Sequence, residues 1–165
     1  DFFTPDPFST AKLFQELSQI FKPPALMKIQ EEENTLTITI DGVKVSFFSF
    51  PYRLIEPVIY SEFINLASIA DIGGMKLSAI TGRSLAKDYV DLYFILQQTE
   101  LADLLDEARK KFPTLETNLI LKSLVYFDDI VEEPIIFKHD HQVDFSIVSA
   151  FLQDQVKKYQ LSRRS

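Results

Sequence analysis

Apolar residues change their spacing along the chain. Leu13, Phe14, Leu17, Ile20 and Phe21 recur at helical intervals behind Ser9 and Thr10, either of which can cap a helix. Pro23-Pro24 ends that helix. Leu26 to Gln30 forms a short extended segment, followed by the polar turn Glu31-Glu32-Glu33-Asn34. From Thr35 to Ile40 the alternation is strict, with Leu36, Ile38 and Ile40 on one face and Thr35, Thr37 and Thr39 on the other. Asp41-Gly42 supplies the two positive-φ positions of a type I′ turn, and Val43 to Phe50 returns as the partner strand. Asp1-Phe2-Phe3 reads as the tail of a further strand, so the chain is expected to begin inside an element.

After Pro51 β-branched alternation gives way to helical periodicity. The pattern predicts helices over 72–82, 86–98, 100–111, 115–127 and 145–159. Pro113 separates two of them, and Asp144 or Ser146 caps the last, whose Val148, Phe151, Leu152, Val156 and Tyr159 share a face. The expected fold class is α+β: a small mixed β-sheet with its helix in residues 1–57, then a helical lobe in 58–165.

Composition narrows the function classes. The 165 residues carry 17 Lys and Arg against 24 Asp and Glu, a net charge of −7, which argues against a sequence-blind nucleic-acid binder. Cys is absent, which removes disulfides, thiolate metal sites and Cys nucleophiles, and fits a reducing, cytoplasmic setting. No apolar run approaches the ~20 residues of a membrane span, so no membrane partner is expected. Neither a Gly-x-Ser-x-Gly elbow nor a Gly-x-x-x-x-Gly-Lys phosphate loop occurs.

The charged constellation lies between Asp71 and Tyr93. Lys76 and Arg83 are seven apart, so one helix presents both on nearly the same side. Asp88 and Asp91 share a face at i,i+3, and Lys87 can reach Asp91 at i,i+4. Two cations followed by two carboxylates across a short turn suit phosphate handling. Spacing alone favours the plainer alternative of a solvated face with local ion pairs, because most surface helices display one. His139-Asp140-His141 with Asp144 has a metal-like composition, but a loop pair of His is usually solvent-exposed and a site needs three or four convergent ligands. The aromatic residues Phe2, Phe3, Phe47, Phe48 and Phe50 gather on the predicted sheet, where core packing outweighs base stacking.

The stretch from Asp71 to Leu96, D-I-x-x-M-K-L-x-A-I-x-x-R-x-x-x-K-D-x-x-D-L-Y-F-I-L, resembles the signature of the AbiEii/AbiGii toxin-type nucleotidyltransferases. Gly42 to Phe48 with Pro51-Tyr52, and Ser123 to Asp129 with Glu132-Glu133-Pro134, resemble that family's second strand and its C-terminal helical region. Its members are similar in fold to polymerase-β-type nucleotidyltransferases and are associated with bacterial phage defence and toxin–antitoxin pairs.

The resemblance implies that Lys76 contacts nucleotide phosphates and that Arg83 supports them or holds a helical carboxylate. Asp88 and Asp91 match the family's acidic pair, one of which would lock Lys76 or Arg83. Asp91 stands as either a catalytic carboxylate or an ion-pair partner. Asp1 takes the place of the second Asp of the family's first motif, a catalytic and metal-binding carboxylate. The first Asp and a Gly-Ser turn would then lie upstream, so the chain is expected to be N-terminally incomplete. Many relatives carry an acidic residue where Ser46 stands, and Ser46 cannot supply that charge.

The implied activity is transfer of a nucleotidyl group from an NTP, with Mg²⁺, to an RNA or protein acceptor, under control of a cognate antitoxin. The alternative is a catalytically inactive relative or fragment that acts as a protein-interaction module.

Overall fold

The computed structural model describes residues 1–131, 133–138 and 140–163. Two compact units follow one another, Asp1–Arg53 and Leu54–Ser165. The class is α+β.

The N-terminal unit is a four-stranded sheet with one helix. Strands β1 (Phe2–Thr4), β2 (Leu26–Glu32), β3 (Thr35–Ile40) and β4 (Val43–Ser49) lie in the order β1-β4-β3-β2. β1 runs parallel to β4, and the other pairs are antiparallel. Asp41 and Gly42 adopt φ of 49° and 81°, the backbone that the predicted hairpin turn demands, and put Ile38 opposite Val45 and Leu36 opposite Phe47. Helix α1 (Thr10–Ile20) is capped by Ser9, whose hydroxyl accepts from the Lys12 amide. Leu13, Phe14, Leu17 and Phe21 cover Leu26, Leu36 and Ile38. Ile20, expected in that stripe, is 72% exposed, because it sits at the stripe's edge on the last helical residue.

β2 extends through Glu32, so the turn to β3 shrinks to Glu33-Asn34 rather than spanning four polar residues. Asn34 makes this tightness feasible: it adopts φ 56°, and its side chain accepts from the Phe8 amide at 2.9 Å. The sheet phenylalanines stack on one another, Phe2 on Phe47 and Phe3 on Phe48, with centroids 5.3 and 5.7 Å apart.

The second unit opens on a two-stranded ribbon, β5 (Ile59–Tyr60) with β6 (Asn65–Leu66), which the sequence pattern does not predict. Five helices follow: α2 (Ile69–Gly82), α3 (Ala86–Ile95), α4 (Leu101–Lys111), α5 (Thr117–Ser123) and α6 (Phe145–Ser162). α2 packs against α3, α4 and α5, and α6 lies on α3 and α4. Leu77, Leu92, Leu104, Leu105, Ile120, Leu124, Val148 and Leu152 fill the interior. At Gly73 a Cβ would meet Leu104 Cδ1 at 2.6 Å, so a larger residue there obliges the buried Leu104 side chain to shift.

Several predicted helix boundaries shift, among them those of α2, α3 and α5. α2 starts at Ile69, not Ile72, because Ser68 caps it by accepting from the Asp71 amide at 3.0 Å. α3 stops at Ile95, whose carbonyl accepts from both Gln98 and Thr99. α5 is confined to Thr117–Ser123, its flanks Leu115 and Phe127 being drawn into core packing outside the helix.

Asp71 is the anchor of this unit. Fully buried, its carboxylate accepts from the Ile55 and Glu56 amides, from the Ser68 hydroxyl at 2.9 Å, and from Lys111 Nζ at 2.5 Å. The segment before the ribbon, the start of α2 and the end of α4 therefore meet on one side chain. That is why residues 54–57, expected with the sheet, fall in the helical unit. Burial alone would raise the Asp71 carboxyl, but the Lys111, amide and Ser68 bonds together hold it below the ordinary carboxylate range.

Asp71→Asn strips the buried Lys111 ammonium of its carboxylate and is expected to cost about 3–5 kcal/mol in urea unfolding. Pairing it with Lys111→Met should recover a large part of that loss; full loss in the double variant would show that packing, not the charge pair, is at stake.

Candidate functional site

The charged residues of the Asp71–Leu96 segment converge at the corner between α2 and α3. Lys76 projects from the middle of α2. Arg83, the residue after the helix, is extended (φ −151°, ψ 147°) and turns the chain toward α3. Asp88 and Asp91 follow on the first two turns of α3.

Asp88 has no exposed surface, and its two oxygens face both cations. Lys76 Nζ donates to Oδ1 at 2.8 Å, Arg83 Nε to Oδ2 at 2.9 Å, and Arg83 Nη2 to Oδ1 at 3.3 Å. Asp91 Oδ2 lies 2.5 Å from the same Lys76 ammonium. The expectation that one acidic residue locks Lys76 or Arg83 is met by Asp88, which holds both. Exposure then separates the four side chains: Asp88 0%, Lys76 23%, Asp91 48% and Arg83 54%.

The Lys87–Asp91 pair expected from i,i+4 spacing does not form. Asp91 turns to Lys76, and Lys87 pairs with Glu133 at 2.8 Å. Glu133 belongs to a segment that braces the corner from behind: the Ala86 amide donates to the Val131 carbonyl at 3.1 Å, and the Val131 amide to the Ser84 carbonyl at 2.7 Å. Sequence reasoning missed this brace, since a partner 46 residues from Lys87 leaves no trace in local spacing.

Burial alone would raise the Asp88 carboxyl, yet its Arg83 and Lys76 hydrogen bonds outweigh that cost and hold it below the ordinary range. Lys76 mirrors it: burial would lower the ammonium, and the Asp88 and Asp91 bonds push it above the ordinary lysine range. Chemically, the corner is a pair of preoriented cations carried on one buried carboxylate, an arrangement suited to an oxyanion.

The remaining candidates carry no comparable geometry. Asp1 is exposed at the start of β1, in the other unit. Ser46 is buried on β4 and lies opposite Thr37, whose hydroxyl donates to Ser46 Oγ at 3.2 Å. His139 and Glu132 lie outside the described residues. His141 is exposed, with its ring edge-on to Phe94. Mg²⁺ requires near-octahedral oxygen ligands. Among the described residues no three His, Asp or Glu side chains gather into such a group.

The electrostatics set a pH signature. Asp71 and Asp88 have depressed folded-state values, so their stabilisation is complete above the unfolded carboxylate range, about pH 4, and is lost as pH falls below it. The raised Lys76 contributes fully below about pH 10.4 and loses its share as pH climbs beyond. Unfolding free energy followed from pH 7 to 2 should drop most steeply below about pH 4, and Asp88→Asn should flatten that drop. An unchanged slope in the variant would show that Asp88 does not carry it.

The family model for the nucleotidyl transferase AbiEii toxin, type IV toxin–antitoxin system, matches residues 10–157. An uncharacterized protein of Aquifex aeolicus (strain VF5) is 32% identical, over 96% of this chain and 77% of its own length. No solved structure matches. No helix among the described residues is long and apolar enough to cross a membrane. A sheet-and-helix unit, a helical unit and the intact Lys76–Asp91 block fall within or around that match, and the chain belongs to the AbiEii family of nucleotidyl transferase toxins of type IV toxin–antitoxin systems.

Proposed function

We propose that this protein transfers a nucleotidyl group from an NTP, with Mg²⁺, to an RNA or protein acceptor in the bacterial cytoplasm, as the toxin of a phage-defence or toxin–antitoxin pair with a cognate antitoxin. In that reaction an acceptor oxygen bonds to the α-phosphorus, the bond to the β-phosphate oxygen breaks, and pyrophosphate departs. Negative charge accumulates on the leaving group, and cations already oriented toward it lower the barrier without reorganising.

The observation that carries the reading is the grip of buried Asp88 on Lys76 and Arg83. An ammonium fixed in this way offers its remaining donor capacity in a set direction, and the half-exposed guanidinium stands beside it. Lys76 is assigned to the nucleotide's phosphates, Arg83 to their support, and Asp88 to positioning both. Asp1 is proposed as a carboxylate toward the ion, and the part given to Lys76 and Arg83 is phosphate handling.

One observation favours the second reading, an inactive relative used as an interaction module. The Thr37–Ser46 hydroxyl pair fills a buried sheet position where the family resemblance places a carboxylate.

The two readings separate in one assay. The protein, given labelled NTPs, Mg²⁺ and RNA or protein acceptors, should transfer label. Lys76→Ala should reduce that transfer by about 100-fold or more while the cooperative thermal melt persists. Undiminished transfer by the variant overturns the assignment of Lys76, and a folded wild-type protein that labels nothing supports the inactive reading.

A further inference from the structure

Resting on the phosphate-binding reading of Lys76, we propose that Asp91 is a built-in competitor for the incoming oxyanion: its carboxylate holds the place on Lys76 Nζ that a phosphate oxygen takes, and it swings out to solvent when a polyphosphate binds.

The two carboxylates on Lys76 are not equivalent. Asp88 is enclosed and accepts at both oxygens from Lys76 and Arg83. Releasing it would leave a buried charge without its cations, a severe cost. Asp91 is 48% exposed, one helical turn further on, and meets the ammonium from the solvent side of the pair. Freed from Lys76, it is rehydrated at once, and a rotamer change suffices to move it.

Charge points the same way. Lys76 and Arg83 with Asp88 and Asp91 sum to zero, so a polyphosphate approaching the closed cluster meets no net attraction. With Asp91 withdrawn, the same corner carries one positive charge, and Asp88 still orients both cations. The 2.5 Å contact of Asp91 Oδ2 with Nζ is of the kind a charge-assisted phosphate bond would replace. Asp91 is thus a positioning residue that acts through Lys76: it sets a threshold that a multiply charged ligand clears more readily than a singly charged one.

Calorimetry of the full chain with sodium tripolyphosphate, at fixed pH and ionic strength, tests this. Asp91→Asn should bind about fivefold tighter than wild type or better. Asp91→Glu should restore wild-type affinity, and the gain should vanish in the Lys76→Ala/Asp91→Asn double variant. A merely structural Asp91 would give weaker binding or none of this gain. Binding that Lys76→Ala abolishes but Asp91→Asn leaves unchanged or weakens overturns the competitor role alone. No binding by any variant, or binding insensitive to Lys76→Ala, overturns the phosphate reading and this inference with it.

Discussion

Helix α2 is fastened at both ends by buried carboxylates, and the helical unit is arranged around that constraint. At its start Asp71 collects two backbone amides, a hydroxyl and the Lys111 ammonium. Beyond its end Asp88 collects Lys76 and Arg83. A buried ion pair adds little net stability over apolar packing, but removing one partner is expensive, so its effect is to fix which elements meet. Here the first fastening sets α2 against α4 and the lead-in segment, and the second sets α2 against α3. Gly73 leaves room for the Leu104 side chain where α2 and α4 meet.

That arrangement also explains how one corner can hold four charges close together without spreading apart. The anchoring charge is enclosed, while Asp91 and Arg83 keep contact with water. Stability is concentrated in Asp88, and exchange with solvent ligands is left to its neighbours. A protein with a net charge of −7 can thereby present cations to an anionic ligand without a broad basic surface.

The hairpin was legible because a period of two and Asp-Gly at the turn leave one register open, and Asp41 and Gly42 take up the positive φ it needs. The Asp71–Leu96 block was legible as a constellation, and its locking carboxylate was foreseen as one of two residues. Ser68-Ile69-Ala70-Asp71 carried a readable capping signal, Ser three residues ahead of an acid, that would have placed the start of α2. Other features left no such trace. Nothing in the sequence distinguishes buried Lys111 from exposed Lys110 next to it, and two-residue strands such as β5 and β6 are too short for periodicity to register. Lys87 was misassigned because local spacing cannot compete with Glu133, a tertiary partner far along the chain.

The Val131 bridge gives that distance a further meaning. The backbone around Ser84 and Ala86 is completed by a strand-like contact supplied about two helices later in synthesis, with Lys87 and Glu133 as its clasp. During translation the α2–α3 corner therefore emerges well before the segment that finishes it. The corner acquires its backing only when residue 131 has left the ribosome, which ties the completion of this charged corner to synthesis of a later part of the chain.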